Sequence, residues 1–141
     1  GHGYTYSAHP VCAAVALRTQ QLIAERDIIG HVRRIAPAFA TRIERFDRFD
    51  FIGNVRAIGL IGAMEFCTDR SSGGKFDPSH KIAAKAVAKI QEHGVILRAL
   101  PGDIVGFCPP LIITEDELHD LFERVELAMD AMQSIADEIR T

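Results

Sequence analysis

The sequence predicts an α+β fold: a mostly antiparallel sheet of a few strands with helices on one face. Two observations carry this. Apolar residues recur at the three-and-four spacing of a one-faced helix over 28–46, 82–90 and 118–132. Between these stretches lie short β-rich runs, Asn54 to Thr68 and Val95 to Cys108, each interrupted by Gly or Pro turn signals. Two helices, strands, a helix, strands and a helix describe one layer of sheet under one layer of helices.

The elements follow in order. Pro10 suits the first turn of a helix because its missing N–H would have no intrahelical partner there. From Val11 through Leu17 this helix is apolar nearly all round, which predicts a core first half, and Arg18 to Arg26 predicts a surface second half. A second helix presents Ile28, Val32, Ile35, Phe39, Ile43 and Phe46 on one side, with a kink or break expected near Arg34 to Ala36 from Pro37. Phe51-Ile52-Gly53 reads as a turn, and Asn54 to Thr68 as two strands, or one bulged strand, interrupted at Gly59-Leu60. Ser71-Ser72-Gly73-Gly74 has the composition of a flexible loop.

Asp77-Pro78 predicts the entrance of a third helix that Gly94 closes. Val95 to Ala99 and Ile104 to Cys108 form a strand, turn, strand unit about Leu100-Pro101-Gly102-Asp103. Thr114-Glu115-Asp116-Glu117 has the spacing of a capping box and opens a last helix, striped by Leu118, Leu121, Phe122, Val125, Met129 and Met132.

Composition excludes several functions. The 141 residues hold 16 Lys and Arg against 19 Asp and Glu, a net charge of −3, with no basic block to hold nucleic acid or an anionic membrane. The longest apolar run, Val11 to Leu17, falls far short of the roughly 20 residues that span a bilayer. Three Cys without a CxxC pair predict reduced thiols in the cytoplasm rather than a disulfide framework. His2, His9 and Cys12 lie close in sequence but lack a spaced fourth ligand, so no metal site is expected. Cys12 and Cys108 sit in apolar sequence and Cys67 at a strand end, where thiols are passive.

Two candidates for chemistry remain. Tyr4-Thr5-Tyr6-Ser7 stands before a helix entrance, where hydroxyls and free N–H groups either cap the helix or receive a phosphate. Arg98 lies in the apolar run Val95 to Leu100: it either needs an anionic partner or occupies the outward face of an edge strand.

The order of three segments then carries a resemblance. His2 to Ala14 (HGYTYSAHPVCAA) resembles the HG-aromatic-TYSGHP segment of the class III pyridoxal-phosphate-dependent aminotransferases, which include the ω-transaminases. Val55 to Phe66 is similar to their VRGxGLMxxxEL strand pair. Gly94 to Arg98, Gly102-Asp103 and Cys108 to Thr114 are similar to their GV-x-x-R…GD…PPLIIT ending. The resemblance implies a fold type I enzyme seen from the end of its large domain (1–26, with the connecting helix) through its C-terminal small domain (27–141).

It further implies pyridoxal 5′-phosphate as the cofactor of the full-length enzyme, an amine or amino acid and a keto acid or aldehyde as substrates, and a homodimer. Thr5 would touch the cofactor phosphate of the neighbouring subunit, Tyr4 would sit beside it, and Arg98 would bind the substrate carboxylate and swing aside for an apolar amine. The family's Schiff-base lysine lies upstream of the TYSGHP segment, and Lys75, Lys81, Lys85 and Lys89 do not correspond to it; no catalytic residue is expected here, and cofactor should not bind this piece alone. Ala8 stands where the family usually has Gly, and Pro101 lengthens the turn after Arg98 by one residue relative to some members. Decarboxylases, racemases and aminomutases share the scaffold, and a stand-alone dimerisation or binding module is the alternative from another class.

Overall fold

The computed structural model describes residue 1 and residues 3–140. Four strands form a single antiparallel sheet: β1 (Ile52–Ile58), β2 (Ile61–Phe66), β3 (Arg98–Leu100) and β4 (Ile104–Phe107), ordered β1-β2-β4-β3. Four α-helices accompany it: α1 (Pro10–Glu25), α2 (Ile28–Glu44), α3 (Ile82–Glu92) and α4 (Glu115–Arg140). Alternation along the central strands sets the two faces of the sheet. Met64, Phe66, Val105 and Phe107 point into one core cluster with α2, α3 and α4, while Ile61, Ala63, Ile104 and Gly106 face the other way.

Close packing of α2 on the sheet depends on Gly62. A Cβ there would lie 2.5 Å from Ile43 Cδ1 and 2.9 Å from the Phe39 ring, both fully buried. The long helix α4 joins through an aromatic cluster: Phe122 meets Phe39 edge-on at 5.4 Å and stacks on Phe107 of β4 at 5.7 Å. Its N-terminus is the expected capping box, with Glu117 N–H donating to Thr114 Oγ1 and Thr114 N–H to Glu117 Oε2.

Several expectations are corrected. No residue of α1 is buried, and Val11, Val15 and Leu17 are each more than 60% exposed, because α1 meets little of this chain besides α2. Helix α2 runs unbroken through Pro37: the proline is exposed while Ile35, Phe39 and Ile43 on the opposite side are anchored in the core. Strand β1 begins at Ile52, and a bulge between Ile52 and Asn54 absorbs Gly53, whose Cβ would lie 2.9 Å from that of Cys67. Asp77-Pro78 opens a 3₁₀ turn (Pro78–His80), and α3 starts only after Lys81, at φ +50°. Val95 to Leu97 lie outside β3, so only Arg98 to Leu100 pair.

The serine and glycine loop after β2 is tied down rather than loose. Asp69 accepts from the Ser71 N–H, both serine hydroxyls and the Ser72 N–H, and Asp69 bridges to Gly74. Cys12 and Cys108 are exposed and Cys67 is buried, all three as free thiols. Among the described residues no helix is long and apolar enough to cross a membrane.

Candidate functional site

The β3–β4 hairpin decides where Arg98 points. Its loop is Pro101-Gly102-Asp103, with Gly102 at φ +83° and Asp103 at φ +56°, and the register pairs Arg98 with Gly106 and Leu100 with Ile104. Gly106 in turn faces Ala63 on β2, and Ala63 faces Arg56 on β1. These four positions therefore form one row across the open face of the sheet, with an arginine at each edge and the two smallest side chains between.

A groove of about 410 Å³ runs along this row, floored by Ala63 and Gly106 and walled by Ile58, Ile61 and Leu100. Ile58 and Ile61 are 80% and 60% exposed, so the walls are apolar surface open to solvent. The two arginines differ in their partners. Arg56 is engaged by Glu65 at 3.2 Å and by Asn54 at 2.9 Å. Glu65 is held below the usual carboxylate range by hydrogen bonds first from Lys75 and then from Arg56, against the opposing effect of partial burial.

The Arg98 side chain, by contrast, makes no hydrogen bond or ion pair among the described residues. Of the two placements left open by the sequence, it takes the exposed edge strand, and nothing among the described residues neutralises it. It also borders a second groove, of about 760 Å³, on the side of α4, where Asp120 is already paired with Arg124 at 2.8 Å. An unpaired guanidinium at the rim of an apolar groove has the chemistry to pair with a carboxylate.

The other expected site lies before α1. Tyr4 to Ala8 form a turn closed by the Ser7 N–H donating to the Tyr4 carbonyl at 2.9 Å and the Tyr4 N–H donating to Ser7 Oγ at 2.8 Å. Helix α1 is capped by His9, whose Nδ1 accepts from the Cys12 N–H at 3.4 Å, so the hydroxyls of Thr5 and Ser7 are not the cap. Thr5 is exposed, and neither its hydroxyl nor its N–H has a partner among the described residues. That donor pair fits an anionic oxygen. Tyr4 is 75% exposed beside it. Ala8, at the position where the resemblance implies Gly, adopts φ +60°, a left-handed conformation that glycine enters without strain and alanine does not. His2 lies outside the described residues.

Sequence reasoning singled out Arg98, Thr5 and Tyr4 but missed Gly106, Ala63 and Leu100. The alternation Ile104-Val105-Gly106-Phe107 places Gly106 opposite the core face; its pairing with Arg98 depends on hairpin register.

Comparison with known proteins bears on the whole arrangement. A family model described as aminotransferase class-III matches residues 1–129. The chain belongs to the class III aminotransferases. Among members of the family, it is 39% identical over 140 residues to the uncharacterized aminotransferase y4uB of Sinorhizobium fredii, covering 98% of this chain and 29% of that protein. It is 35% identical to gamma aminobutyrate transaminase 3, chloroplastic, of Solanum lycopersicum, covering 99% of this chain and 27% of that protein. The crystal structure of an omega-transferase from Vibrio fluvialis JS17 superposes with a TM-score of 0.89 at 32% identity, over 98% of this chain and 33% of that one. The chain thus spans about a third or less of the length of these proteins.

Proposed function

We propose that this chain is the C-terminal portion of a pyridoxal-phosphate-dependent transaminase, which moves an amino group between an amine or amino acid and a keto acid or aldehyde. In this reading residues 1–26 close the large, cofactor-binding domain and residues 27–141 are the small domain. Arg98 is the substrate-carboxylate receptor, and the lack of any side-chain partner for it among the described residues, beside an apolar groove, carries the reading. Thr5 donates its hydroxyl and N–H to the cofactor phosphate across the interface of a homodimer, with Tyr4 alongside. The unpartnered donors of Thr5 and the exposed apolar side chains of α1 support that interface.

When bound, the cofactor supplies the electron sink. The residues of this chain would bind and orient. None of the four lysines lines either groove at Arg98, and Lys75 and Lys89 pair with Glu65 and Glu92. The lysine that holds the cofactor covalently is therefore assigned to the rest of the enzyme, as is activity. Three free thiols support a cytoplasmic setting.

Energetics fit a partial site. One charge-assisted hydrogen bond contributes about 1.5–3 kcal/mol, whereas millimolar affinity needs about 4.1 kcal/mol. Arg98→Ala in the full-length enzyme should lower kcat/KM for a keto acid by roughly 10- to 150-fold, the range that follows from losing one such bond. A simple alkyl amine should be affected much less. Equal losses for the two substrates would remove Arg98 as the carboxylate receptor.

A further inference from the structure

Arg98 and Leu100 alternate with Ala99 on β3, so both side chains project from the open face of the sheet. Directly across from Arg98 is Gly106, whose bare backbone leaves a side-chain-sized space on that face. Leu100 occupies it: a Cβ built on Gly106 would lie 3.0 Å from Leu100 Cδ1 and 3.6 Å from Leu100 Cγ. Arg98 remains outside, at the edge, bordering both grooves.

We propose that Gly106 is a specificity-determining position: its bare backbone is a single seat on the open face for which Leu100 and Arg98 compete. This rests on the reading of Arg98 as carboxylate receptor. With Leu100 in the seat, the groove is apolar along its floor and walls, and Arg56 and Arg98 stand at its two edges. With Leu100 displaced, the Arg98 chain lies across β4 and brings its guanidinium over the groove. The reach is sufficient, because neighbouring strands are only about 4.8 Å apart and an arginine side chain is longer than that. A side chain at position 106 would fill the seat permanently and hold Arg98 at the edge.

Three variants of the full-length, cofactor-loaded enzyme test this. Gly106→Val suits a β-strand, and the near neighbour of the new side chain is the movable end of Leu100, so the fold should be retained. It should raise KM for pyruvate at least tenfold relative to KM for a simple alkyl amine, and raise the calorimetric Kd of propionate, a non-reacting carboxylate, by a similar factor. Leu100→Ala should act in the opposite direction, lowering the propionate Kd while raising KM for the amine. The double variant Arg98→Ala, Gly106→Val should be no worse with pyruvate than Arg98→Ala alone, because both changes remove the same contact. Multiplying effects in the double variant, or unchanged propionate binding in both Gly106→Val and Leu100→Ala, would overturn the role of Gly106 while leaving Arg98 as receptor. Equal loss of pyruvate and amine use in Arg98→Ala would instead overturn the receptor reading itself, and this inference with it.

Discussion

Single residues here owe their behaviour to local hydrogen bonding more than to burial. Asp69 is held at about 2, well below its ordinary 3.8, by the Ser72 hydroxyl first and then by the N–H and hydroxyl of Ser71. Because the folded form has the lower value, its contribution to loop order is complete above about pH 4 and disappears as pH falls through about 2. A ¹³C carboxyl titration should show that midpoint, and Ser72→Ala should move it toward 3.8; a wild-type midpoint near 3.8 would contradict the loop geometry. The composition of Ser71 to Gly74 marked a loop correctly yet concealed its order, since the ordering group is an aspartate outside the serine and glycine run. Arg98 was legible as an anomaly in an apolar run. Its significance depends on Gly106 opposite, and that pairing is a property of the hairpin loop rather than of either residue.

At the scale of elements, the periodic stripes translated directly into buried faces. Leu118, Phe122, Val125, Met129 and Met132 of α4 are all buried, as their spacing required. What the stripes could not convey is how tightly elements meet. Phe122 packs on rings from both α2 and β4, so it joins the long helix to the helix layer and to the sheet at once. Phe122→Ala should cost about 3–5 kcal/mol, a large part of the roughly 5–15 kcal/mol typical of a domain, with unfolding by urea shifted accordingly. A loss below about 1 kcal/mol would mean that α4 is held by something other than this cluster. Boundaries were harder to read than faces. Val95 to Leu97 has strand composition but does not pair, and Pro37 sits on the solvent side of α2, where core contacts of Ile35, Phe39 and Ile43 outweigh one missing hydrogen bond. Helix α1 departs in the other direction: its all-round apolar first half predicts core, whereas Val11, Val15 and Leu17 are open surface in this chain.

For the whole molecule, the α+β architecture with helices on one face follows from element order and period, and the family follows from a match over residues 1–129. The candidate site is less legible because its parts lie far apart in sequence and are unsatisfied among the described residues: a donor pair at Thr5, and a free guanidinium at Arg98 at the edge of an apolar groove. A single anion contact binds little by itself, so under the proposed function activity is expected of the complete enzyme. Transamination should be measured with the same amine donor, keto acid and pyridoxal phosphate on the purified 141-residue chain and on the full-length protein. Turnover confined to the full-length protein is the expected result, and turnover by the 141-residue chain alone would contradict it.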